Sequence, residues 1–111
     1  MPHMVISYSK ALDAQLDIQQ LAQAIWDSAE KTALFNPKSI KVRALPVEHY
    51  VTANTDQAFV HVDAKLFEGR TDAQKQGMIK GYLDVIAGMV GADVSISVEA
   101  IDMNKADYIK R

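Results

Sequence analysis

The sequence predicts an α+β fold, in which two consecutive strand-helix-strand units form one four-stranded sheet with both helices on one face. Hydrophobic residues alternate with polar residues along four stretches, which is typical of strands buried on one side. Between the first two stretches, and again between the last two, hydrophobic residues recur at helical intervals. Each unit is long enough for a right-handed crossover between parallel strands, and the 111 residues predict a single domain over 1–111.

The first strand is predicted over residues 2–8, where alternate side chains point to opposite faces of the sheet. After a polar loop, a helix is predicted over about 17–34. Asp17 and Gln20 form a capping-box pattern at its start. Pro37 should stop this helix, because proline cannot continue the backbone hydrogen-bond ladder.

Alternation predicts the second strand over 39–47 and the third, most regular strand over 57–67. The intervening segment 46–56, which includes Asn54, is interpreted as a connection with room for a short strand. Both strands therefore present a hydrophobic face and a mixed face.

A second helix is predicted from Thr71, which starts another capping box, to about Val90, with Gly91 as its C-cap. Gly77 and Gly81 lie inside this helix, where glycine is unfavourable. Their presence suggests close approach to a neighbouring backbone.

The last strand is predicted over 93–101, and residues 102–111 are expected to form a polar tail anchored at most by Tyr108 and Ile109. The helices should cover the hydrophobic face of the sheet, which carries Ile40, Val42, Val60, Val62, Val94, Ile96 and Val98. The opposite face should carry Lys41, Arg43, Phe59, His61, Asp63, Ser95 and Ser97. An uncovered, half-polar sheet face predicts a homo-oligomer.

Composition narrows the functional classes. The formal net charge is -2, without the basic excess typical of nucleic-acid binding, and no apolar run is long enough to span a membrane. The N-terminus lacks the pattern of a secretory signal, so a cytoplasmic protein is expected by default. There is no cysteine, and His3, His49 and His61 lack the paired spacing of helical zinc ligands. His3 and His61 are compatible with contact across adjacent strands, but we predict no metal.

Pro2 is the first candidate for chemistry. If Met1 is removed, Pro2 carries a secondary amine whose pKa would lie near neutrality when buried beside cations. Such an amine is a general base that needs no side chain. While Met1 is attached, the Pro2 nitrogen is an amide and not a base. The alternative is that proline simply opens the first strand.

Lys41 and Arg43 share one face of the second strand, and Arg70 follows the third strand directly. Together they suit a dicarboxylate ligand, because a guanidinium group binds a carboxylate through two parallel hydrogen bonds. The alternative is that all three are solvated surface cations.

In this order the sequence motifs resemble those of 5-carboxymethyl-2-hydroxymuconate isomerase, a family of the tautomerase superfamily. The likeness extends to about residue 100 and rests on Met1-Pro2-His3, Ile40-Lys41-Val42-Arg43, Gln57-Ala58-Phe59-Val60-His61-Val62 and Gly69-Arg70.

The resemblance implies a homotrimer without cofactor or metal, active in aromatic catabolism on a small anionic unsaturated carboxylate. Pro2 would be the general base, and Arg43 and Arg70 would bind substrate carboxylates and polarise the dienolate. Lys41 stands where relatives have arginine, and it supplies charge without the planar fork. The competing interpretation is a non-catalytic, ferredoxin-like ligand-binding module. That fold would make the first and third strands antiparallel neighbours, whereas a tautomerase pairs the first and second in parallel.

Overall fold

The fold consists of one four-stranded sheet and two helices. The computed structural model describes residues 1–53 and 56–111, so Asn54 of the predicted connection lies outside the described residues. The main elements in chain order are β1 (His3–Ser9), α1 (Ile18–Lys31), β2 (Lys41–Val47), β3 (Phe59–Phe67), α2 (Asp72–Ala87) and β4 (Ser95–Met103).

The strand order is β2-β1-β3-β4. β1 pairs with β2 in parallel, β3 pairs with β4 in parallel, and the two units meet through antiparallel β1 and β3. Antiparallel contact between the first and third strands therefore occurs, but it does not distinguish the two folds considered above. The direct parallel pairing of β1 with β2 does distinguish them, and the ferredoxin-like interpretation is wrong.

The core lies between one face of the sheet and the two helices. Inward-facing residues of β1 and β3 are buried, and the predicted hydrophobic positions of β2 and β4 pack against them. The helices contribute Leu21, Ile25 and Ala29 from α1 and Met78, Tyr82 and Ile86 from α2. The predicted division between a helix-covered face and an open face is thus confirmed.

The first helix ends at Lys31, earlier than the predicted residue 34. The Thr32 hydroxyl donates a hydrogen bond to the carbonyl of Ala29 at 2.7 Å and accepts one from the Leu34 amide at 3.2 Å. Ala33 then adopts a left-handed backbone with φ of 58°. This local hydrogen bonding ends the helix before the proline can act.

The second helix starts as predicted at Thr71, whose side chain and Gln74 form the reciprocal capping box. It ends at Ala87, with Gly88 as the C-cap, so the prediction of Val90 and Gly91 was wrong. Both the Met89 and the Val90 amides bond to the carbonyl of Ile86, which tightens the chain into a turn.

The two interior glycines of α2 differ. A Cβ atom at Gly81 would lie 3.2 Å from the Ser28 hydroxyl on α1, so close approach of the helices explains this glycine. A Cβ atom at Gly77 would have no described neighbour within 4 Å, and the predicted close approach there is wrong.

The last strand runs to Met103, because its final residues pair with Leu66 and Phe67 of β3. Val94 precedes the strand but still packs on the core. Residues 48–53 and 56–58 contain no strand, so the short strand allowed for in that connection is not found among its described residues. Within the described residues, no helix is long and apolar enough to cross a membrane.

Candidate active site

The amino end of the chain is fixed beside the start of β2. Pro2 is fully buried, and its carbonyl accepts a hydrogen bond from the Lys41 amide at 3.1 Å. The α-amino group of Met1 donates to the carbonyl of Ser39 at 3.2 Å. Burial lowers the pKa of this amine, and the charges of Lys41 and Lys110 lower it further.

Met1 lines a cavity of about 320 Å³ at this end of the sheet. Its walls combine aromatic rings with two cationic side chains; the other lining residues are Phe35, Ser39, Leu66, Phe67, Arg70, Tyr108 and Lys110. A cavity with aromatic walls and fixed cations suits a small, flat, unsaturated anion.

Arg70 is held in this cavity by hydrogen bonds to the loop after α1 and to the last residue of β3. Its Nη2 donates to the carbonyl of Leu34 at 2.8 Å, and its Nη1 donates to the carbonyl of Phe67 at 3.3 Å. The guanidinium carbon lies 5.2 Å from the centre of the Phe35 ring. These contacts fix the planar group at the cavity wall while leaving other N–H donors for a ligand.

Lys41 and Arg43 lie on the open face of the sheet, as predicted, and both are exposed. Arg43 does not line the cavity; its Nη1 lies 3.1 Å from Nδ1 of His3. The structure therefore brings Met1 and Arg70 to one cavity, which the predicted base Pro2 does not line, and places the Lys41 charge close enough to act on the Met1 amine. It directs Arg43 to a neighbouring histidine.

The C-terminal segment contributes more than the polar tail that was expected. Asn104 caps a short turn by accepting from the Ala106 amide, and the chain folds back over the cavity. Tyr108 and Lys110 then line that cavity, whereas Ile109 is 97% exposed and anchors nothing. The only signals in the sequence were the turn-forming Asn104 and an aromatic residue within a polar stretch.

His3 and His61 do not meet. In the antiparallel register His3 lies opposite Lys65 and His61 lies opposite Ser7, so the two histidines are separated along the strands. His61 instead approaches Asp63 at 2.9 Å and Glu99 at 3.5 Å.

This second cluster of His61, Asp63 and Glu99 lies on the open face, and its potential ligand atoms fall within 4.8 Å of one another. Among residues 1–53 and 56–111, these three are the group that could hold a metal ion. The histidine also contacts the Ser97 hydroxyl, so the cluster is internally hydrogen-bonded.

Two parallel-paired strand-helix-strand units, joined antiparallel and carrying the chain's amine in a cationic cavity, define a tautomerase-like isomerase. The family model of 5-carboxymethyl-2-hydroxymuconate isomerase matches residues 2–107. The chain belongs to that isomerase family. The matched range contains Pro2, Lys41, Arg43 and Arg70 but stops before Tyr108.

Solved structures have the same fold. A 5-carboxymethyl-2-hydroxymuconate delta-isomerase is 20% identical, with a TM-score of 0.87 over 100% of this chain and 88% of that one. A 5-carboxymethyl-2-hydroxymuconate isomerase from Deinococcus radiodurans R1 is 21% identical, with a TM-score of 0.83 over 99% and 88%. A fused 4-OT described as an asymmetric trimer is 19% identical, with a TM-score of 0.79 over 97% and 91%. None of the curated proteins matches the sequence.

Proposed function

We propose that this chain, acting as a single domain over 1–111, is a cofactor-independent tautomerase. Its substrate would be an unsaturated 2-hydroxy or 2-oxo dicarboxylate or tricarboxylate similar to 5-carboxymethyl-2-hydroxymuconate. The carrying observation is that Met1, the residue before Pro2, shares one cavity with the cations Arg70 and Lys110. Membership of an isomerase family supports the reaction class.

The general base in this proposal is the secondary amine of Pro2 after removal of Met1. The neutral amine takes the proton of the 2-hydroxyl group and returns it to a distant carbon of the conjugated chain, leaving a 2-oxo product. Burial, and after it the charges of Lys41 and Lys110, lower the pKa of the Met1 amine. We expect burial to lower the pKa of a Pro2 amine as well, which would favour its neutral form. The cations would also stabilise the negative charge of the dienolate.

We propose Arg70, Arg43 and Lys41 as the residues that bind the substrate carboxylates; of these three, Arg70 lines the cavity, whereas Arg43 and Lys41 lie outside it on the open sheet face. Arg70 already has a fixed orientation at the cavity wall. Arg43 uses one N–H on His3 and retains others for a carboxylate. Lys41 contributes charge but cannot form two parallel hydrogen bonds with one carboxylate. Its presence therefore does not select one particular carboxylate substrate.

A homotrimer is part of the same proposal. The open sheet face carries half-buried Phe59 as well as exposed cations, and Leu45 is 48% exposed there. Two structural neighbours are described as trimers of a fused 4-OT. Solution scattering at several concentrations tests this point, and a compact monomer throughout would refute it.

The first experiment measures ketonisation of 2-hydroxymuconate against pH, on protein whose N-terminus has been established as Pro2 by intact mass. We expect a rate above buffer that rises along one basic limb near or below neutrality, and that is lost when Met1 is retained. Pro2→Ala should lower turnover and move the limb, whereas Arg43→Ala should mainly raise KM.

Lys80→Ala is the matched cation control, because Lys80 is exposed on α2 and its one ion pair within the described residues is with Asp84 on the surface. Its kinetics should equal those of the parent protein. No rate above buffer on material starting at Pro2, or unchanged kinetics in both the Pro2 and Arg43 variants, would contradict the proposed function.

A further inference from the structure

A chain of hydrogen bonds leads from the open sheet face to the cavity. Arg43 Nη1 lies 3.1 Å from His3 Nδ1, and His3 Nε2 lies 3.0 Å from the hydroxyl oxygen of Tyr108. Tyr108 lines the cavity that also contains the amine of Met1 and the guanidinium group of Arg70. The three linked side chains come from β2, β1 and the C-terminal segment.

The chemistry of these groups fixes the direction of each hydrogen bond. A guanidinium group can only donate, so His3 Nδ1 must accept from Arg43. A neutral histidine then carries its proton on Nε2, which donates to the Tyr108 oxygen. Burial, and after it the charge of Arg43, lowers the pKa of His3 and favours this neutral form.

Tyr108 is left with a hydroxyl hydrogen to donate. Within the described residues, His3 is the one hydrogen-bond partner of the Tyr108 hydroxyl. The ring itself is held by edge-to-face contacts with His3 and Phe67, whose centres lie 5.9 Å and 5.4 Å away. The hydroxyl is therefore oriented and polarised by an incoming N–H donor, and it belongs to a residue that lines the cavity.

We propose that Tyr108 is a further catalytic residue, which donates a hydrogen bond to the oxygen on C2 of the substrate, and that His3 is the positioning residue that orients it. The inference rests on the proposed function, since it takes the cavity as the substrate site. The hydrogen bond strengthens as the C2 oxygen gains charge in the dienolate. No proton leaves Tyr108 in this step, so Pro2 remains the base.

The inference also narrows the substrate class. Cations alone would accept any small dicarboxylate, whereas an oriented hydroxyl donor selects a diacid that carries an oxygen at C2. Tyr108 lies one residue beyond those matched by the family model, in the C-terminal segment of this chain.

The test compares the binding of 2-oxoadipate with that of adipate, which lacks only the oxo oxygen, by calorimetry. We expect Tyr108→Phe to weaken the binding of 2-oxoadipate about three- to tenfold, which is the effect of one net hydrogen bond. The affinity for adipate should not change. Tyr50→Phe is the matched control, because Tyr50 packs on Phe59 at the opposite end of β3. Equal effects on both diacids, no effect on either, or no binding of 2-oxoadipate to the parent protein would overturn the inference.

The positioning role of His3 is tested by rescue. His3→Gln keeps an N–H donor near the former Nε2 atom, whereas His3→Leu removes it. We expect the leucine variant to reproduce the selective loss of 2-oxoadipate binding and the glutamine variant to recover most of it. The double variant with His3→Leu and Tyr108→Phe should lose no more 2-oxoadipate binding than Tyr108→Phe alone. An additive loss would contradict the proposal that His3 acts through Tyr108.

Turnover separates this inference from the proposed function. In the ketonisation assay, Tyr108→Phe should lower kcat about 10- to 100-fold with a smaller change in KM. An active parent protein with an unchanged Tyr108→Phe variant refutes only the role of Tyr108. An inactive parent protein that still discriminates 2-oxoadipate through Tyr108 refutes only the tautomerase proposal.

Discussion

Arg70 joins the proposed substrate site to the stability of the fold, so its replacement has two separable consequences. The side chain connects the carbonyl of Leu34, after the first helix, to the carbonyl of Phe67 at the end of β3. It also packs on the ring of Phe35. Arg70→Ala removes all three contacts together with the charge.

The magnitude follows from the geometry. Hydrogen bonds from charged groups contribute about 1.5–3 kcal/mol, but the 3.3 Å bond to Phe67 is long and the site is half-buried, so about 1 kcal/mol each is expected. The cation-π contact adds about 0.5–1 kcal/mol at an exposed site. Arg70→Ala should therefore lower the free energy of unfolding by about 2–3 kcal/mol. Arg70→Lys should lose about half as much, because an ammonium group cannot reach both carbonyls.

Urea unfolding at fixed protein concentration measures the loss of stability. Calorimetry of adipate binding measures the second consequence, the loss of carboxylate binding. Loss of the guanidinium group should weaken adipate at least about tenfold, as expected for a charge-assisted hydrogen bond. Lys80→Ala again serves as the control and should change stability by less than about 0.5 kcal/mol. An Arg70→Ala protein as stable as this control would show that the three Arg70 contacts contribute nothing and would refute the reasoning.

Three further predictions follow from individual contacts. Lys110→Ala removes a charge that lowers the pKa of the Met1 amine. We expect this charge to act likewise on a Pro2 amine, so the basic limb of kcat/KM should move to higher pH in the variant. Gly77→Ala should raise the free energy of unfolding by about 0.5–1 kcal/mol in urea titrations, whereas Gly81→Ala should gain less because its Cβ would press on Ser28. Tyr82 is fully buried, and its hydroxyl has no hydrogen-bond partner in the part of the chain that the structure describes, so Tyr82→Phe should raise the melting temperature. An unchanged basic limb in Lys110→Ala would contradict the first prediction, and a destabilised Gly77→Ala protein the second. A lower melting temperature of Tyr82→Phe would contradict the third.

The parts of the fold that could be predicted from sequence are those governed by burial on one face. The alternation along β3 sets which side chains enter the core, because a slip by one residue would expose all of them. The helix starts were predictable for a local reason, since Asp17 and Thr71 accept hydrogen bonds from nearby backbone amides.

The helix ends were less predictable, because they depend on the backbone conformation of single residues. Ala33 adopts a left-handed conformation that glycine would adopt more readily, so nothing in its side chain indicated the end of α1. Gly88 is the C-cap of α2, although Gly91 was an equally plausible choice from the sequence.

The candidate site also has parts that could be predicted from the sequence and parts that could not. Strand alternation predicted the face on which Arg43 lies, but its contact with His3 depends on a side-chain rotamer and on the register of two strands. The contact between His3 and Tyr108 joins residues at opposite ends of the sequence. No local pattern encodes such a contact, and a segment with so few apolar residues gives little reason to expect it to fold back.

One consequence of sharing a single cavity between the base and the carboxylate-binding cations can be tested without any substitution. The amine of Met1 faces positive charges that lower its pKa, and we expect the same charges to act on a Pro2 amine in the free enzyme. A bound dianion offsets those charges, so the pKa of the amine should be higher in the substrate complex than in the free enzyme. Because kcat/KM reports the free enzyme and kcat reports the complex, the basic limb of kcat should lie at higher pH than that of kcat/KM. If chemistry is rate-limiting and the basic limbs of kcat and kcat/KM still lie at the same pH, the carboxylates bind too far from the amine to change its pKa. One cavity would then not hold both the base and the carboxylate-binding cations.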